Sequence, residues 1–452
     1  MQIKNRNMTY PQVLDYLSAS EHLGIKFGLS NIKKLLRATG VDEDKFRIIH
    51  ITGTNGKGSV AVFLSSILKE AGFRVGLYTS PHLIDFRERI QVDGRQISKK
   101  KVTELLSQLL FSIKTSRAEF SLKPTYFEII TALALQYFSQ AGVEIAILEV
   151  GMGGRLDATN VFNHSLVSII TNVNHEHTEY LGKTISDISR EKAGIIKKNG
   201  IVITAVKQKE AREVIEGVCR EKKTNLFRLG EDIKVQEVNR ERGADNFYDF
   251  QKFNYQGIFN SFSDLKIRLL GKHQIENAAL ALGAIEALRL RGITVAKNHL
   301  RKGLEKATWS GRLEVINCVN GKGENCRVVL DGAHNPAAMR SLKNALLENV
   351  IPHRRIILVL GILKDKDVKK MVPEIVPLCQ EVVVTSPDTE RSLDKNLLRK
   401  EVINYLAPGR VRMENGVGGA LMRALEIASR DDLICVTGSL YTVGEAKRAL
   451  KR

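Results

Sequence analysis

The run Gly53-Thr54-Asn55-Gly56-Lys57-Gly58-Ser59 stands between an apolar stretch, Phe46 to Ile51, and apolar residues at helical spacing, Val60, Phe63, Leu64, Ile67 and Leu68. Strand, glycine-rich loop and helix in that order make a phosphate cradle. The glycines let backbone N–H groups turn toward phosphate oxygens, and the helix presents its positive N-terminal dipole. Lys57 adds a full charge near the terminal phosphates and Ser59 a hydroxyl. The loop departs from the standard pattern twice: position 51 is Ile rather than Gly, and Gly58 separates Lys57 from the hydroxyl residue. A bare glycine-rich turn with one lysine is often only a tight turn; a strand before and a helix after favour a nucleoside triphosphate, ATP foremost.

That unit occupies a small part of 452 residues, a length that allows about three domains or two of unequal size. Hydrophobic residues at 43% and charged residues at 26% are ordinary for a globular chain, and no apolar run approaches the roughly 18 residues of a membrane span. Met1 to Asn7 is polar with no apolar segment after it, so a cytoplasmic protein without a membrane partner is expected. Cys219, Cys318, Cys326, Cys379 and Cys435 lack the paired spacing of a zinc site or a disulfide framework and read as reduced thiols. Lys plus Arg, 69, exceed Asp plus Glu, 50, giving a net charge of +19. The basic residues are spread in short clusters such as Lys99-Lys100-Lys101 and Lys197-Lys198, without a nucleic-acid-reading motif. A solvated surface is the plainer reading of the excess; the functional one is a field that draws small anions, ATP foremost, without a nucleic-acid partner.

From Tyr10 to about Lys306 short β-rich runs alternate with helical stretches. Strands are predicted at Arg47–Thr52, Val75–Tyr78, Ile145–Val150, Leu166–Thr171 and Ile201–Ala205, and helices at Ser59–Ala71, Lys101–Ile113, Phe127–Ala141 and Gln274–Leu290. Such alternation makes a mostly parallel sheet covered on both faces, with ligands beyond the strand C-termini. Residues 231–268, rich in Phe247, Tyr248, Phe250, Phe253, Tyr255, Phe259 and Phe262, read as a small antiparallel insertion. After a linker near Ala307 to Gly311, strands at Val328–Leu330, Ile356–Leu360, Glu381–Thr385 and Leu433–Thr437, with a helix from Pro336, predict a second, smaller doubly wound domain. The expected domains are 1–306 and 307–452, with a catalytic cleft between them.

Two strand-end motifs carry chemistry. Ile147-Leu148-Glu149-Val150-Gly151-Met152-Gly153-Gly154 places a carboxylate before a glycine-rich turn, and Glu149 suits magnesium, a hard cation that keeps water and phosphate in its remaining positions. A simple ion pair with a lysine is the plainer reading of Glu149. Thr171-Asn172-Val173-Asn174-His175-Glu176-His177 ends the next strand, where imidazole and carboxylate reach the same region; surface imidazoles are the plainer reading.

Further along, the chain carries Tyr78-Thr79-Ser80-Pro81-His82-Leu83, Glu88-Arg89-Ile90, Pro124-Thr125-Tyr126-Phe127-Glu128, Arg155-Leu156-Asp157-Ala158-Thr159-Asn160 and Glu191-Lys192-Ala193-Gly194-Ile195. It continues with Gly271-Lys272-His273-Gln274-Ile275-Glu276-Asn277-Ala278, Trp309-Ser310-Gly311-Arg312-Leu313-Glu314, Asp331-Gly332-Ala333-His334-Asn335-Pro336 and Thr437-Gly438-Ser439-Leu440-Tyr441. These ordered motifs resemble the bifunctional dihydrofolate synthase and folylpolyglutamate synthase family, within the ATP-dependent amide ligases that include the Mur ligases. Gly58 and the Ser80-Pro81-His82 segment favour the folate branch.

The resemblance implies a P-loop ATPase domain followed by a smaller Rossmann-like domain, and an enzyme that joins L-glutamate to dihydropteroate and to reduced folates through an acyl phosphate; a monomer is the default expectation. A Mur-type ligase acting on a peptidoglycan precursor, or folylpolyglutamate synthesis alone, are the alternatives. It implies that Gly53, Thr54, Asn55, Gly56, Lys57, Gly58 and Ser59 hold the ATP phosphates, that Ser80 and Glu149 ligate one Mg2+, and that His177 and a carbamylated Lys192 ligate a second. A carbamate offers the anionic oxygens that an ammonium lacks. By the same resemblance Asn277 and Arg312 contact nucleotide, Asp331 and His334 face the nucleotide and the incoming amino acid, and Phe127 and Asp157 hold the pterin. Glu176 stands where the family usually has Asp, an extra methylene that shifts the hydrogen bond made there.

Overall fold

The computed structural model describes residues 8–21, 24, 28–42, 46–115, 124–241 and 250–451. Met1 to Asn7, Phe247 and Tyr248 lie outside the described residues. The chain forms two compact units. One comprises Met1–Gln236, Asn254–Ser263 and Glu276–Lys306, the other Glu237–Phe253, Asp264–Ile275 and Ala307–Arg452, so the chain passes between them more than once.

The first unit is built on a sheet of β1 (Arg47–Thr52), β2 (Val75–Tyr78), β3 (Ile90–Val92), β4 (Arg95–Gln96), β5 (Ile145–Glu149), β6 (Val167–Ile170), β7 (Ile201–Thr204) and β8 (Asn225–Arg228). Their spatial order is β4-β3-β2-β5-β1-β6-β7-β8. The hairpin partners β2–β3 and β3–β4 are antiparallel and the remaining pairs parallel. Strand β1, Arg-Ile-Ile-His-Ile-Thr, is buried on both faces, as β-branched residues in a central parallel strand require. One side of the sheet is covered by helices Tyr10–Glu21, Ser30–Ala38, Lys99–Thr115 and Tyr126–Gln140, whose apolar residues share a core with Ile48, Tyr78, Ala146 and Leu148. Helix Lys57–Glu70 packs on β1, β2 and β5, and helix Lys297–Lys306 packs on it in turn.

This order has a direct consequence for the motifs. Strands β2, β5, β1 and β6 are adjacent and parallel, with Tyr78 opposite Leu148, Ile51 opposite Glu149 and Thr52 opposite Ile170. Their C-terminal ends therefore fall on one edge, bringing together the segments after Tyr78, Glu149, Thr52 and Ile170.

Strands β9 (Lys234–Glu241), β10 (Phe250–Gln256) and β11 (Ser261–Ile267) form a separate three-stranded sheet ordered β11-β10-β9 where the insertion was expected. Its buried aromatics, Phe253, Tyr255 and Phe262, pack rather than face solvent, and the Tyr255 and Phe262 rings stack with centroids 6.1 Å apart.

The second unit carries β12 (Glu314–Val319), β13 (Asn325–Leu330), β14 (Ile356–Leu360), β15 (Glu381–Val384), β16 (Val411–Met413) and β17 (Leu433–Thr437), ordered β12-β13-β17-β14-β15-β16. Only β12 runs antiparallel to its neighbour among these described strands. Here too parallel neighbours set the loops after Leu330, Thr437 and Leu360 on one edge. Helices Pro336–Leu347 and Leu440–Leu450 begin there, capped by the side chains of Asn335 and Ser439.

Candidate active site

Gly56 takes a left-handed conformation, φ 88°, and caps helix Lys57–Glu70. A Cβ there would lie 2.5 Å from Asn277 Oδ1, and one on Gly53 only 1.8 Å from Thr171 Oγ1. The backbone thus approaches its neighbours closely where glycine alone fits. Lys57 Nζ donates to the carbonyls of Gly53, 2.9 Å, and Thr54, 3.1 Å, and so lies across the mouth of its own loop.

The loop is tied to the strand-end motif after β6. Thr54 N–H donates to Asn172 O at 2.9 Å, Asn55 N–H to Asn172 Oδ1 at 3.0 Å, and Asn174 N–H to Thr54 Oγ1 at 2.9 Å. Thr171 Oγ1 and Asn172 Nδ2 both donate to Asn55 O. Sequence reasoning assigned this motif only a metal role; Asn172 and Asn174 were legible in it, but their partners were not. Gly58 lies within the first helical turn, partly exposed, and Ser59 is buried, 2% exposed.

Glu149 ends β5, 5% exposed, and Ser80 N–H donates to its Oε2 at 3.1 Å. The contact brings the Ser80 backbone to the Glu149 carboxylate on the sheet edge that also carries the phosphate loop, and a serine hydroxyl with a carboxylate is a hard-oxygen donor set that fits magnesium completed by phosphate and water. The loop beyond Ser80 is organised by Glu88, whose carboxylate accepts from the N–H groups of Leu83, Ile84 and Asp85.

Lys192 is 1% exposed near the end of helix Ile185–Ala193, and its Nζ donates to Glu176 Oε1 at 2.5 Å. Burial lowers Lys192 below the usual lysine range against the opposing Glu176 charge, and Lys57 adds to the lowering. Burial pushes the Glu176 carboxyl up, but the charges of Lys192 and Lys57 outweigh it and leave it below its ordinary value. Glu176, read in the sequence as a carboxylate near the metal region with one methylene more than the family's usual Asp, is thus the partner of the buried lysine. An ammonium paired in this way offers no lone pair, so the residues fit a second cation only with Lys192 converted to an anionic form. His177 is exposed, in the left-handed region at φ 45°, at the start of helix Thr178–Leu181, and His175 is exposed as well.

Asp157 is 8% exposed, and its carboxylate serves its own loop. Oδ2 accepts from Gly151 and Met152 N–H, while Oδ1 accepts from Thr159 N–H and Thr159 Oγ1. Since the Thr159 hydroxyl spends its hydrogen on Asp157, His50 Nε2, 2.8 Å away, must be the donor to Thr159 Oγ1. Burial, with the Lys197 charge second, holds His50 down to about 3, so it is neutral at ordinary pH. This buried chain from β1 to the glycine-rich turn had no signal in the sequence. Phe127 is half-buried, packs on Tyr78 with centroids 6.0 Å apart, and would meet a Cβ on Gly151 at 2.5 Å. Asn277 is 6% exposed beside Gly56.

In the second unit Asp331, 8% exposed, accepts from Leu313 N–H at 2.9 Å and Ala333 N–H at 3.0 Å. Burial raises its carboxyl and the Arg312 charge opposes that rise. Arg312 Nη1 would sit 2.3 Å from a Cβ on Gly332. The His334 ring is half-buried with Nδ1 2.8 Å from Gly332 O, so Nδ1 carries the hydrogen and Nε2 is the basic nitrogen. The site residues named from the sequence thus form two groups, one on each sheet's C-terminal edge: Gly53–Ser59, Ser80, Phe127, Glu149, Asp157, His177, Lys192 and Asn277 in the first unit; Arg312, Asp331 and His334 in the second.

Two family models match the chain in succession: residues 51–285 match the Mur ligase middle domain, and residues 311–440 the Mur ligase, glutamate ligase domain. The dihydrofolate synthase/folylpolyglutamate synthase of Bacillus subtilis is 34% identical over 446 residues, covering 98% of this chain and 99% of the relative. This chain belongs to that family. A solved folylpolyglutamate synthase of Thermotoga maritima superposes with a TM-score of 0.82 at 35% identity, covering 98% of this chain and 96% of that one. Escherichia coli FolC, solved in complex with DHPP and ADP, gives 0.84 at 28% identity, covering 97% of each chain. The α/β architecture expected from the sequence, a mostly parallel P-loop sheet and a smaller Rossmann-like sheet, is the architecture of this family. Among the described residues no helix is long and apolar enough to cross a membrane.

Proposed function

We propose that this chain is an ATP-dependent amide ligase that adds L-glutamate to dihydropteroate and to reduced folates already carrying glutamate. The observation that carries the reading is the phosphate loop with Lys57 on the same sheet edge as the Glu149–Ser80 pair, in a chain similar throughout to FolC, whose solved complex holds DHPP and ADP. Residues 1–306 supply the ATP-binding part and 307–452 the glutamate-ligase part, in a monomer acting in the cytoplasm.

A carboxylate is a poor acylating agent at neutral pH. Its oxygen therefore takes the γ-phosphoryl group of ATP, giving an acyl phosphate and ADP. Backbone N–H groups of Gly53–Ser59 hold the phosphates, Lys57 swings from its loop carbonyls to the transferring group, and Asn277 and Arg312 orient the nucleotide. Glu149 and Ser80 would hold magnesium, which when bound would neutralise charge at the phosphoryl oxygens. His177 and Lys192 as its carbamate would hold a second ion; the lowered Lys192 favours the neutral amine that combines with carbon dioxide. Phe127 offers an aromatic face to the pterin, and Asp157 fixes the turn beside it. Asp331 faces the nucleotide and the incoming amino acid while fixing the backbone at Leu313 and Ala333, next to Arg312 and His334, and His334 Nε2 takes the proton as the glutamate amine attacks the acyl carbonyl and phosphate leaves.

The test is ADP release by the purified protein with ATP, magnesium and glutamate across three acceptors: dihydropteroate, a reduced monoglutamyl folate and a nucleotide-linked peptidoglycan precursor. Turnover with both pterin acceptors is expected. Turnover with the peptidoglycan precursor alone would overturn the proposal, and silence on dihydropteroate would reduce it to folylpolyglutamate synthesis.

A further inference from the structure

Strands β12 and β13 form a hairpin at the edge of the second sheet, with Cys318 directly opposite Cys326. Asn320 N–H donates to Glu324 O at 2.8 Å, and the cysteines lie two positions back along both strands, in the same hydrogen-bonded class of pair. Such pairs hold their Cα atoms about 5.5 Å apart. That distance is central to the range of about 4.4–6.8 Å that a disulfide spans. Directly opposed residues also share a face, and the two Sγ atoms are 3.3 Å apart. Both are thiols here. Cys318 is half-buried on the edge strand between exposed Asn317 and Val319, whereas Cys326 is buried. One sulfur is therefore reachable from solvent and the other waits beneath it.

We infer that Cys318 and Cys326 are a reversible dithiol–disulfide site, oxidised by low-molecular-weight disulfides. Cys318, as its thiolate, attacks one sulfur of the small disulfide, forms a mixed disulfide and releases one small thiolate. Cys326 then gives up its proton, its sulfur attacks Cys318 Sγ, and the second small thiol leaves. Two electrons pass from the cysteine pair to the small disulfide, and the two thiol protons go to the two released thiols. The asymmetry between the sulfurs agrees with this order: the contact with Cys326 draws the Cys318 thiol down, and the same contact with burial raises that of Cys326. Cys219, Cys379 and Cys435 are buried and serve as internal controls. The cross-link would staple the hairpin whose far end joins Leu313 N–H to Asp331. None of this depends on the ligase reading.

The experiment uses the full chain with glutathione disulfide, followed by alkylation of remaining thiols, trypsin digestion and mass spectrometry without reductant. Trypsin cuts after Arg312, Lys322 and Arg327, so the bond would link peptide 313–322 to peptide 323–327. The expected result is loss of two hydrogens from the intact chain, that linked peptide pair, and restoration by dithiothreitol. In Cys326→Ser the reaction should stop at a glutathione adduct on Cys318. A lasting glutathione adduct on Cys318 in the unsubstituted chain, or both peptides alkylated as in the untreated protein, would overturn the inference.

Discussion

Lys57 spends two hydrogen bonds on the carbonyls of Gly53 and Thr54. Those contacts park the ammonium where a phosphate would compete for it, so replacing the side chain removes a charge needed at the transferring group more than a prop of the fold. Lys57→Ala is expected to lower glutamate-dependent ADP release by about 10²–10³-fold, the loss typical of deleting one preorganised electrostatic contact. Unchanged turnover would remove Lys57 from the mechanism. His50 supports a second prediction. Its folded pKa, held down to about 3, lies below the ordinary histidine value, so between the two the unfolded chain binds a proton that the folded chain refuses. Stability must then fall as pH falls through that window, by about 1.4 kcal/mol per unit below about pH 6.5. Between about pH 7 and about pH 5 the protein should lose about 2 kcal/mol more than His50→Gln in urea unfolding. Equal losses would show that His50 titrates as an ordinary histidine. Of these residues, Lys57 was legible because a strand-loop-helix pattern gives a lysine a meaning. His50 was not, because a histidine inside an apolar strand looks the same whether or not a threonine from a distant turn waits 2.8 Å away.

At the scale of elements, period and composition carried most of the account. The strands Arg47–Thr52, Val75–Tyr78, Ile356–Leu360 and Leu433–Thr437 fall where the β-branched runs predicted them. Strands β3, β4, β8, β12 and β16 were missed; most are short edge or next-to-edge strands, half-exposed and without a continuous apolar run. Helix ends shifted by a residue or two for a local reason: Thr125 caps Tyr126–Gln140 reciprocally with Glu128, which starts that helix before its first strongly apolar residue. The packing of helices is a different matter. Gly303 in helix Lys297–Lys306 lies so close to helix Lys57–Glu70 that a Cβ would sit 2.4 Å from Ile67 Cα, and Ser66 Oγ donates to Gly303 O at 2.7 Å. Backbone cannot give way as a flexible side chain can. Gly303→Ala is expected to cost about 1–3 kcal/mol in urea unfolding, despite its better helix propensity. A neutral or stabilising effect would mean that the two helices separate freely.

For the whole molecule, ligand linkage gives the broadest test. If ATP binds the folded chain and not the unfolded one, stability rises by about 2.7 kcal/mol at a hundred times the dissociation constant. Magnesium with a non-hydrolysable ATP analogue should therefore raise the melting temperature, and much less so in Lys57→Ala; an equal rise in both would place the nucleotide elsewhere. Family, fold class and the order of motifs followed from the sequence by itself, because glycines at fixed offsets, β-branched runs and a capped helix start are local facts of covalent chemistry. Which residues meet followed only from the tertiary structure. The sheet order β2-β5-β1-β6 gathers four distant segments on one edge, Glu176 meets Lys192 across sixteen residues, and Cys318 faces Cys326 because a hairpin register says so. Spacing along a chain fixes the face a side chain occupies within its own element. Its neighbour from another element is settled when the apolar faces are buried together, and that depends on the whole chain at once.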